Sequence, residues 1–494
     1  MPPTSHSWSS LDSQAKERLA VWILGIMAAI HVIVFTAAFP VFIVDEVNHF
    51  DLVVKYSHLN FPPKGVRSSE ESMPYIAAFY SWEYQWTNDT LSAPPWKLPA
   101  SQAMPILLVR EQHMQFINRE ASQPPLYYLL EGACWRLGNA MGFHDLLLVY
   151  LLRFFNALLV GALVWVGWFA TRMVFPEKLF IRIAVPTLIA FLPQVAFYSI
   201  CDDALSPLSF GAAFVCVLGW VRAKTPGIRL GALTGLTLAA TFLTKMSNLP
   251  LLAVAFIVVF LKTFLMVRSH QFARILPSLL ALLGCVLVPM AAWAAWCKIR
   301  FGDFTGLAGI SQPLGWTIKP FSQWWSHPIF TPGGLWIFLS GNIATFWQDE
   351  KLWHGQPFSL ASVDLTYTLI TLFIVIIAML NIKKPEASQR WALVFALAVM
   401  AAELASFGFS SIIYDFHYCV YPSRDFPYFV SGRLMLGALV PFLLLFSFGL
   451  DRALQKFGNI GKFFALAVFV AFMLGTEIAA DWPIFQSQYN WYHA

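Results

Sequence analysis

Charged residues are scarce in this chain. Of its 494 residues, 12% are charged and 58% are hydrophobic, whereas soluble domains are roughly a quarter charged and just under half apolar. The shortage of charge excludes an ordinary soluble domain as the main component. The formal net charge of +5 is modest and gives no indication of a nucleic-acid partner.

Motifs for metal and nucleotide binding are also missing. The six cysteines have no CxxC spacing, so neither a zinc site nor a disulfide framework is expected. GxGxxG and GxxxxGK[ST] are absent, which argues against a cytosolic nucleotide-sugar enzyme. Gly231 and Gly235 are four residues apart inside an apolar run, a spacing typical of helix packing.

What the sequence has instead is apolar runs of about 20 residues, the length that crosses a hydrocarbon core of about 30 Å. No alternation typical of membrane barrels occurs, so the runs predict helices. The first run is too long for a cleaved signal peptide and indicates a retained anchor. About eleven spans are predicted in all, at 19–40, 147–170, 181–200, 204–221, 229–244, 248–267, 276–297, 361–382, 391–413, 431–450 and 461–480.

Short basic loops alternate with the other loops along this series. Positively charged short loops stay in the cytoplasm, so residues 1–18 are predicted to form a cytoplasmic tail. Residues 19–494 then form a single module in the plasma (inner) membrane. The basic loops contain Lys16/Arg18, Arg172/Lys178/Arg182, Arg222/Lys224/Arg229, Lys262/Arg268/Arg274, Lys383/Lys384/Arg390 and Arg452/Lys456/Lys462.

Two long loops lie on the predicted extracytoplasmic side, at about 41–146 and about 298–360. Both are much longer than the connections typical of compact domains. Both are rich in Trp and Pro, and the first is also rich in Tyr and acids. Segments 76–86 and 335–347 mix aromatic residues with isolated polar groups, which predicts interfacial helices on the outer leaflet. Ordinary aromatic belts are the simpler alternative.

The first polar cluster follows the first span. Asp45 and Glu46 stand where the chain leaves the membrane, and His49 comes four residues after Asp45. Partial desolvation there raises a carboxylate's pKa and suits it to base catalysis. In a helix, Asp45 and His49, with Asn48 beside them, share one face. A helix cap at Asp45 is the alternative.

Two further segments carry polar groups toward the same side. Gln123 precedes a Pro-Pro pair and Tyr127, where a loop gives way to a helix. Asp202 and Asp203 occupy a very short outer turn, where they would bind a cation, orient a hydroxyl or cap the next helix.

Three cations stand at predicted outer ends of spans, against the positive-inside bias: Arg153, Lys245 and Arg433. A phosphate at the outer leaflet would explain them, since Arg offers a bidentate fork and Lys a point charge. Snorkelling to lipid headgroups is the alternative for any one of them. Three polar residues inside spans rank lower as candidates: His31, Gln194 and Glu403.

Together these segments resemble the GT-C superfamily of membrane glycosyltransferases, and more closely the bacterial relatives of protein O-mannosyltransferases and lipid A aminoarabinose transferases. They occur in the expected order over nearly the whole chain: Asp45-Glu46, Gln123-Pro124-Pro125-Leu126-Tyr127-Tyr128, Asp202-Asp203-Ala204-Leu205, Thr244-Lys245 and Ser431-Gly432-Arg433-Leu434. Ser122 departs from the His or Lys common in relatives. The lack of a C-terminal soluble domain argues against an oligosaccharyltransferase-like member.

The resemblance implies an all-α, GT-C-like fold and an inverting transfer of a sugar from a polyprenyl-phosphate donor to a lipid, glycan or protein acceptor of the cell envelope. Asp45 would be the general base, while Glu46 and Asp203 would orient acceptor, sugar or cation. Lys245 and Arg433 would hold the phosphate. The other candidate substrate-binding residues are His49, Gln123, Tyr127, Arg153 and Asp202. No cofactor is certain, and a divalent cation, Mg²⁺ or Mn²⁺, remains open.

Two other functional classes compete with this interpretation. A transporter or flippase of lipid-linked glycans would use charges inside the spans, near the membrane midplane. Here most polar candidates lie at one end and the long loops lie on one face, which favours an enzyme. A polysaccharide polymerase or ligase would share the donor chemistry.

Overall fold

The computed structural model describes residues 8–43, 45–84, 93–419 and 421–493. Within these residues, nine helices are long and apolar enough to cross a membrane. The prediction of an all-α polytopic membrane protein is therefore confirmed. The candidate spans are Gln14–Ala38, Asp145–Val174, Asp202–Arg222, Met246–Arg268, Phe272–Phe301, Ala361–Asn381, Ala387–Ile413, Gly432–Ala453 and Asn459–Phe485.

Helices follow one another along the chain with few strands. The α-helices are α1 (Trp8–Ala38), α2 (Glu46–Ser57), α3 (Met73–Phe79), α4 (Ala100–His113), α5 (Leu126–Ala140), α6 (Asp145–Val174), α7 (Leu179–Ala190), α8 (Ser206–Arg222), α9 (Ile228–Thr244), α10 (Leu249–Arg268), α11 (Phe272–Phe301), α12 (Leu307–Ser311), α13 (Phe321–Trp324), α14 (Pro332–Gln348), α15 (Ala361–Asn381), α16 (Ala387–Ile413), α17 (Leu439–Ala453) and α18 (Asn459–Phe485). The 3₁₀ segments are Trp82–Tyr84, Pro95–Lys97, Val195–Phe197, Asp202–Ala204, Met246–Asn248, Pro328–Phe330, Gly432–Ala438 and Trp491–His493. Strands β1 (Thr317–Ile318) and β4 (Tyr414–Asp415) pair antiparallel, with Thr317 opposite Asp415, and β2 (Leu352–Trp353) pairs antiparallel with β3 (Gln356–Pro357), with Leu352 opposite Pro357.

Two of the predicted spans, the third and the fifth, are shorter helices, α7 and α9. The predicted span 181–200 is wrong in its second half, because the helix ends at Ala190. Pro193 disfavours helical geometry in the residue before it. The irregular backbone that follows is buried, and the Gln194 amide supports it by donating to the carbonyl of Phe346 at 2.5 Å. This unwound segment brings the chain to the cleft described below.

Glycines let α9 and α11 pack with their backbones in contact. A Cβ placed on Gly231 would lie 2.1 Å from the carbonyl oxygen of Ser278, and one on Gly235 would lie 2.3 Å from that of Leu282. No side chain fits at either distance. The Gly231–Gly235 spacing therefore serves helix packing, as the sequence predicted.

We expect Gly235→Leu to destabilise the protein by about 1–3 kcal/mol or more, because the new side chain must force α9 away from α11. Thermal unfolding in detergent measures the change. Gly284→Leu on α11 is the matched control, since a Cβ there meets nothing within 4 Å. Equal unfolding temperatures for the two variants would contradict this account of the contact.

Charged side chains near the helix ends lie at two opposite ends of the bundle. At one end Arg182 binds Glu17 at 2.8 Å, and Lys462 binds Asp451. These groups lie at the start of α1, α7 and α18 and the end of α17, whereas the segment after α1 leads to Asp45 at the opposite end. The basic loops of the sequence thus lie across the bundle from the acidic residues after α1.

A buried aspartate organises the long segment between α1 and α6. Asp51 on α2 accepts hydrogen bonds from the Ser69 backbone N–H at 2.7 Å, the Ser72 hydroxyl at 2.8 Å and the Asn118 amide at 2.7 Å, and it also binds Lys55. Charged hydrogen bonds of this kind are stronger than neutral ones. They hold distant parts of the loop on α2.

The two predicted interfacial helices have different outcomes. In segment 76–86, α3 ends at Phe79 and a 3₁₀ turn follows at Trp82–Tyr84, while residues 85 and 86 lie outside the described residues. Segment 335–347 falls inside α14. That either segment lies on the outer leaflet stays a prediction.

Candidate functional site

A cleft opens where α1 and α18 end and the segment leading into α17 begins. It encloses roughly 500 Å³ of empty space, part of it open to solvent. Apolar walls come from Phe39 after α1 and Ile484 near the end of α18. The charged or titratable side chains that line it are Asp45, Glu46, His49, Tyr84, Cys201, Glu350, Lys351 and Arg433.

Asp45 presents its carboxylate to this cleft. It stands at the N-cap position of α2, but its side chain makes no capping hydrogen bond. Instead its Oδ2 accepts a hydrogen bond from Nη2 of Arg433 at 2.9 Å, and 40% of the side chain is exposed. The carboxylate is therefore accessible to a substrate.

The charge state of Asp45 is set by its neighbours. Burial opposes its ionisation, but the ion pair with Arg433, helped by His49 and Lys245, holds the pKa of this carboxyl below its ordinary value. The expectation that desolvation raises the pKa of this carboxylate is therefore wrong, because the neighbouring positive charges outweigh burial. Asp45 is a carboxylate at neutral pH.

Glu46, the next residue, points into the protein. Arg153 grips it with two hydrogen bonds, Nε to Oε1 at 2.7 Å and Nη2 to Oε2 at 2.6 Å. Glu46 also accepts from the Ile200 backbone N–H at 2.7 Å, and Arg153 donates to the carbonyl of Phe39 at 3.1 Å. The two charged side chains are 1% or less exposed. They join the unwound segment after α7 to the end of α1.

His49 also faces the cleft, whereas Asn48 accepts from the backbone N–H of Arg119 at 3.2 Å. His49 Nδ1 lies 2.7 Å from the Tyr128 hydroxyl. Burial, then the charge of Lys245, lowers the pKa of His49 to about 4. The imidazole is therefore neutral at pH 7 and serves as a hydrogen-bonding group.

Lys245 joins the two aspartates of the short outer turn. Its Nζ lies 2.9 Å from Oδ1 of Asp202 and 2.7 Å from Oδ1 of Asp203. Burial opposes its charge, but the two aspartates raise the pKa of the Lys245 ammonium above its ordinary value. The aspartates do not cap α8, whose N-cap residue Leu205 makes no side-chain hydrogen bond.

The same arrangement bears on the divalent cation. The Lys245 ammonium occupies the place between Asp202 and Asp203 that Mg²⁺ or Mn²⁺ would take. Among the described residues, no three His, Cys, Asp or Glu side chains are grouped to hold a metal ion. The residues of this site therefore fit an internal lysine better than a metal ion.

Gln123 and Tyr127 stand behind the cleft, and neither is among its lining residues. The Gln123 amide donates to Oε2 of Glu120 at 2.8 Å. Tyr127 is buried in α5, where its nearest polar neighbour is the Glu131 carboxyl one turn further along the same helix. Gln123 thus holds the Glu120 carboxyl in place through this hydrogen bond.

Sequence reasoning missed two carboxyl groups, Glu350 in the cleft and Glu120, which does not line it. Burial, then the charge of Asp45, raises the pKa of Glu120 to about 7. Glu350 follows α14 and lies 3.9 Å from Nε of Arg433. Glu120 is an isolated acid in the first long outer loop, whereas Glu350 forms an adjacent acid pair with Asp349 in the second. That pair was the available signal in the sequence, because it repeats the pattern of Asp45-Glu46 and Asp202-Asp203.

The three polar residues inside spans lie elsewhere. His31 binds Glu477 at 3.0 Å, and Gln194 supports the unwound backbone. Glu403 is buried in α16, and neither of its oxygens has a hydrogen-bond partner in the described part of the chain. None of the three lines the cleft.

No family model matches the sequence, and no curated protein matches it. Solved structures of the oligosaccharyltransferase from Archaeoglobus fulgidus are similar to it at 14% identity. The apo form has a TM-score of 0.42 over 94% of this chain and 55% of that chain. The complex of AglB with an inhibitory peptide and a dolichol-phosphate has a TM-score of 0.45 over 97% and 56%. The complex with zinc and sulfate has a TM-score of 0.40 over 94% and 52%. This chain thus spans about half the length of those proteins, and the functional argument rests on the cleft.

Proposed function

We propose that this integral membrane protein is a GT-C-type glycosyltransferase. It moves a sugar from a polyprenyl-phosphate donor to a cell-envelope acceptor, with inversion and with Asp45 as general base. The observation that carries the proposal is the exposed Asp45 carboxylate, paired with Arg433 in a cleft at the ends of membrane-spanning helices.

The acceptor side of the reaction falls to Asp45. An attacking hydroxyl must lose its proton as its oxygen bonds to the sugar, and a positioned carboxylate takes that proton. His49 is neutral and orients groups without competing for charge. Because Asp45 acts as a base and forms no bond to the sugar, a single displacement inverts the anomeric carbon.

The donor side falls to the cations. The guanidinium of Arg433 presents a planar set of donors suited to phosphate oxygens. Lys245 supplies a fixed positive charge close enough to influence Asp45 and His49. Preorganised cations that meet charge developing on a leaving group supply much of an enzyme's rate enhancement.

A lipid donor explains the position of the cleft. Its polar groups stand at the ends of α1 and α18, where the phosphate of a membrane lipid would lie while the chain stayed in the bilayer. The basic residues at the other end of the bundle support an extracytoplasmic cleft, a cytoplasmic N-terminus and a plasma (inner) membrane location. The buried ion pair of Glu46 and Arg153 then fixes the backbone beside Asp45 and so orients the Asp45 side chain.

Deletion in the source organism tests the proposal. We expect extracts of the deletion strain to accumulate one polyprenyl-phosphate-linked sugar, and a surface glycan, lipid or protein to lose that sugar. Both are measured by mass spectrometry. Wild-type protein should restore the strain, and Asp45→Asn should not.

Reconstitution separates an enzyme from a flippase. Purified protein in liposomes should convert the accumulated donor to polyprenyl phosphate when the unmodified acceptor is added. A flippase would move the donor across the bilayer without releasing polyprenyl phosphate, and that result would overturn the proposal. Products that lengthen with time would identify a polymerase.

A further inference from the structure

Arg433 and Glu350 face each other in the cleft without a direct hydrogen bond. Nε of Arg433 and Oε2 of Glu350 are 3.9 Å apart, beyond hydrogen-bond distance. Nε of Arg433 and Oε1 of Glu350 are both buried and have no hydrogen-bond partner in the described part of the chain. Buried polar atoms without partners are costly, so their presence together indicates a ligand that satisfies both.

Glu350 is held firmly in this place by its two neighbours. Oδ2 of Asp349 accepts from the Ala196 backbone N–H at 2.8 Å, and Lys351 binds Asp481 on α18 at 2.6 Å. The residues on either side are thus anchored to the unwound segment and to a membrane-spanning helix. Glu350 is preorganised at the mouth of the bundle.

The surroundings of Glu350 favour a protonated carboxyl. Burial is the largest influence and raises the pKa of Glu350, and the charges of Asp349 and Asp45 raise it further. Arg433 and a hydrogen bond to Ser431 lower it, and the net pKa is about 7. Tyr421 is a further titratable group close enough for the charge of Glu350 to act on it. At neutral pH, Glu350 is present in both protonation states.

We propose that Glu350 is the acid that gives its proton to the phosphate as the phosphate leaves the sugar. This assignment rests on the proposed function and deepens it. A phosphate oxygen lying beside this pair would bridge it, accepting one hydrogen bond from Nε of Arg433 and one from the Glu350 carboxyl. That single ligand would satisfy both buried atoms.

The step balances as follows. The acceptor oxygen bonds to the anomeric carbon, and its proton passes to Asp45. The bond from that carbon to the phosphate oxygen breaks, and its electron pair stays on the oxygen. The proton of Glu350 moves to the phosphate, so the product leaves as a monoanion. Water then takes a proton from Asp45 and returns one to Glu350.

The chemistry of the two groups is well matched. The dianion of a phosphate monoester takes up a proton to become a monoanion with a pKa of about 6, close to the pKa of Glu350. Acids whose pKa lies near the working pH are the most effective proton donors. Glu120, with a similar pKa, is bound to Gln123 and does not line the cleft.

Binding of a polyprenyl methyl phosphate diester tests the assignment without a sugar or an acceptor. This probe stays a monoanion between pH 5.5 and 8.5, so changes in affinity report on the protein. Wild-type affinity should fall about tenfold as pH rises through 7, because ionised Glu350 repels the phosphate and closes on Arg433. Glu350→Gln keeps a hydrogen-bond donor and should show nearly constant affinity.

Two other variants complete the series. Glu120→Gln should keep the pH dependence of the wild type, and Glu403→Gln, a buried carboxyl outside the cleft, should keep it too. Loss of the dependence in Glu120→Gln with its retention in Glu350→Gln would overturn the assignment. A Glu350→Gln curve identical to that of the wild type would also overturn it.

Turnover gives a second readout. With the donor from the deletion strain, Glu350→Gln should lower kcat about 10- to 100-fold with little change in KM, and the decline of kcat above pH 7 should disappear. Glu350→Asp should recover part of the rate. If the wild type transfers sugar and Asp45→Asn does not, an unaffected Glu350→Gln refutes this assignment alone. A wild type without transfer refutes the proposed function itself.

Discussion

Asp45→Asn is expected to reduce sugar transfer by about 10²–10⁴-fold, the range that a positioned general base contributes. The amide keeps the size of the side chain but accepts no proton from the attacking hydroxyl. The fold should tolerate the change, since Asp45 is partly exposed and, among the charged groups of the described residues, Arg433 is the one within hydrogen-bond distance of its carboxylate.

Donor binding should respond in the opposite sense. In the wild type, Asp45 competes with the phosphate for Arg433, and the neutral amide competes less. Purified Asp45→Asn should therefore bind polyprenyl phosphate at least as tightly as the wild type, while kcat falls. This combination separates the loss of a base from the loss of a binding site.

The matched control is Asp425→Asn, which removes an exposed carboxylate outside the cleft. It should leave both kcat and affinity unchanged. Equal unfolding temperatures for all three proteins are needed to attribute the loss to chemistry. Turnover by Asp45→Asn at the wild-type rate would remove Asp45 from the mechanism.

Much of the architecture could be predicted from hydrophobicity alone. Spans are long, continuous signals, and each predicted span overlaps an α-helix, although 181–200 does so only in its first half. The error at 181–200 has a local cause, because the run continues past Pro193 while the backbone does not. The segment after Ala190 is irregular, but it is buried and its residues are mostly apolar. Hydrophobicity alone therefore does not distinguish it from a helix.

The polar site was only partly predictable. Asp45, Lys245 and Arg433 stood out because charge at an outer span end is costly. In the structure Asp45 and Arg433 form an ion pair in the cleft. Lys245 is not among the lining residues, but its charge influences both of them. Asp45 and Glu46 could not be told apart, because they are adjacent carboxylates with the same local sequence. The partner of Glu46 is Arg153, far along the chain, and only the fold shows that pairing.

Glu120 and Glu350 illustrate a different limit. Glu120 is one of several acids in the first long loop, Glu350 is one of three in the second, and no spacing links either to the residues after α1. Their importance comes from burial and from neighbours brought close by α5, α14 and the segment before α17. Burial and nearby charges of this kind raise the pKa of a carboxyl group. Because both depend on the folded structure, the raised pKa of Glu120 and of Glu350 cannot be predicted from the sequence.

The pair of adjacent carboxylates leads to a second large effect, on stability. We expect Glu46→Gln to destabilise the protein by about 3–5 kcal/mol, the usual cost of removing one member of a buried ion pair. Arg153 would keep its charge in a place with no exposure to water, and the Ile200 N–H would lose a charged acceptor. Arg153→Met should have a similar effect.

Thermal unfolding in detergent or lipid nanodiscs measures both single variants and the double variant. The double variant should be more stable than the sum of the single losses implies, because it leaves no unpaired charge. Glu17→Gln is the matched control, as its partner Arg182 is 15% exposed at the far end of the bundle. Water can reach Arg182, so the loss there should be smaller.

The contrast between neighbours is the sharpest test of the cleft. Asp45→Asn should lose turnover and keep its unfolding temperature, whereas Glu46→Gln should lose unfolding temperature and keep donor affinity in its folded fraction. The reverse pattern would mean that Glu46 faces the substrate and Asp45 supports the frame. Because the two side chains leave the backbone one residue apart, a shift of register there would exchange their environments, and this pair of variants detects it directly.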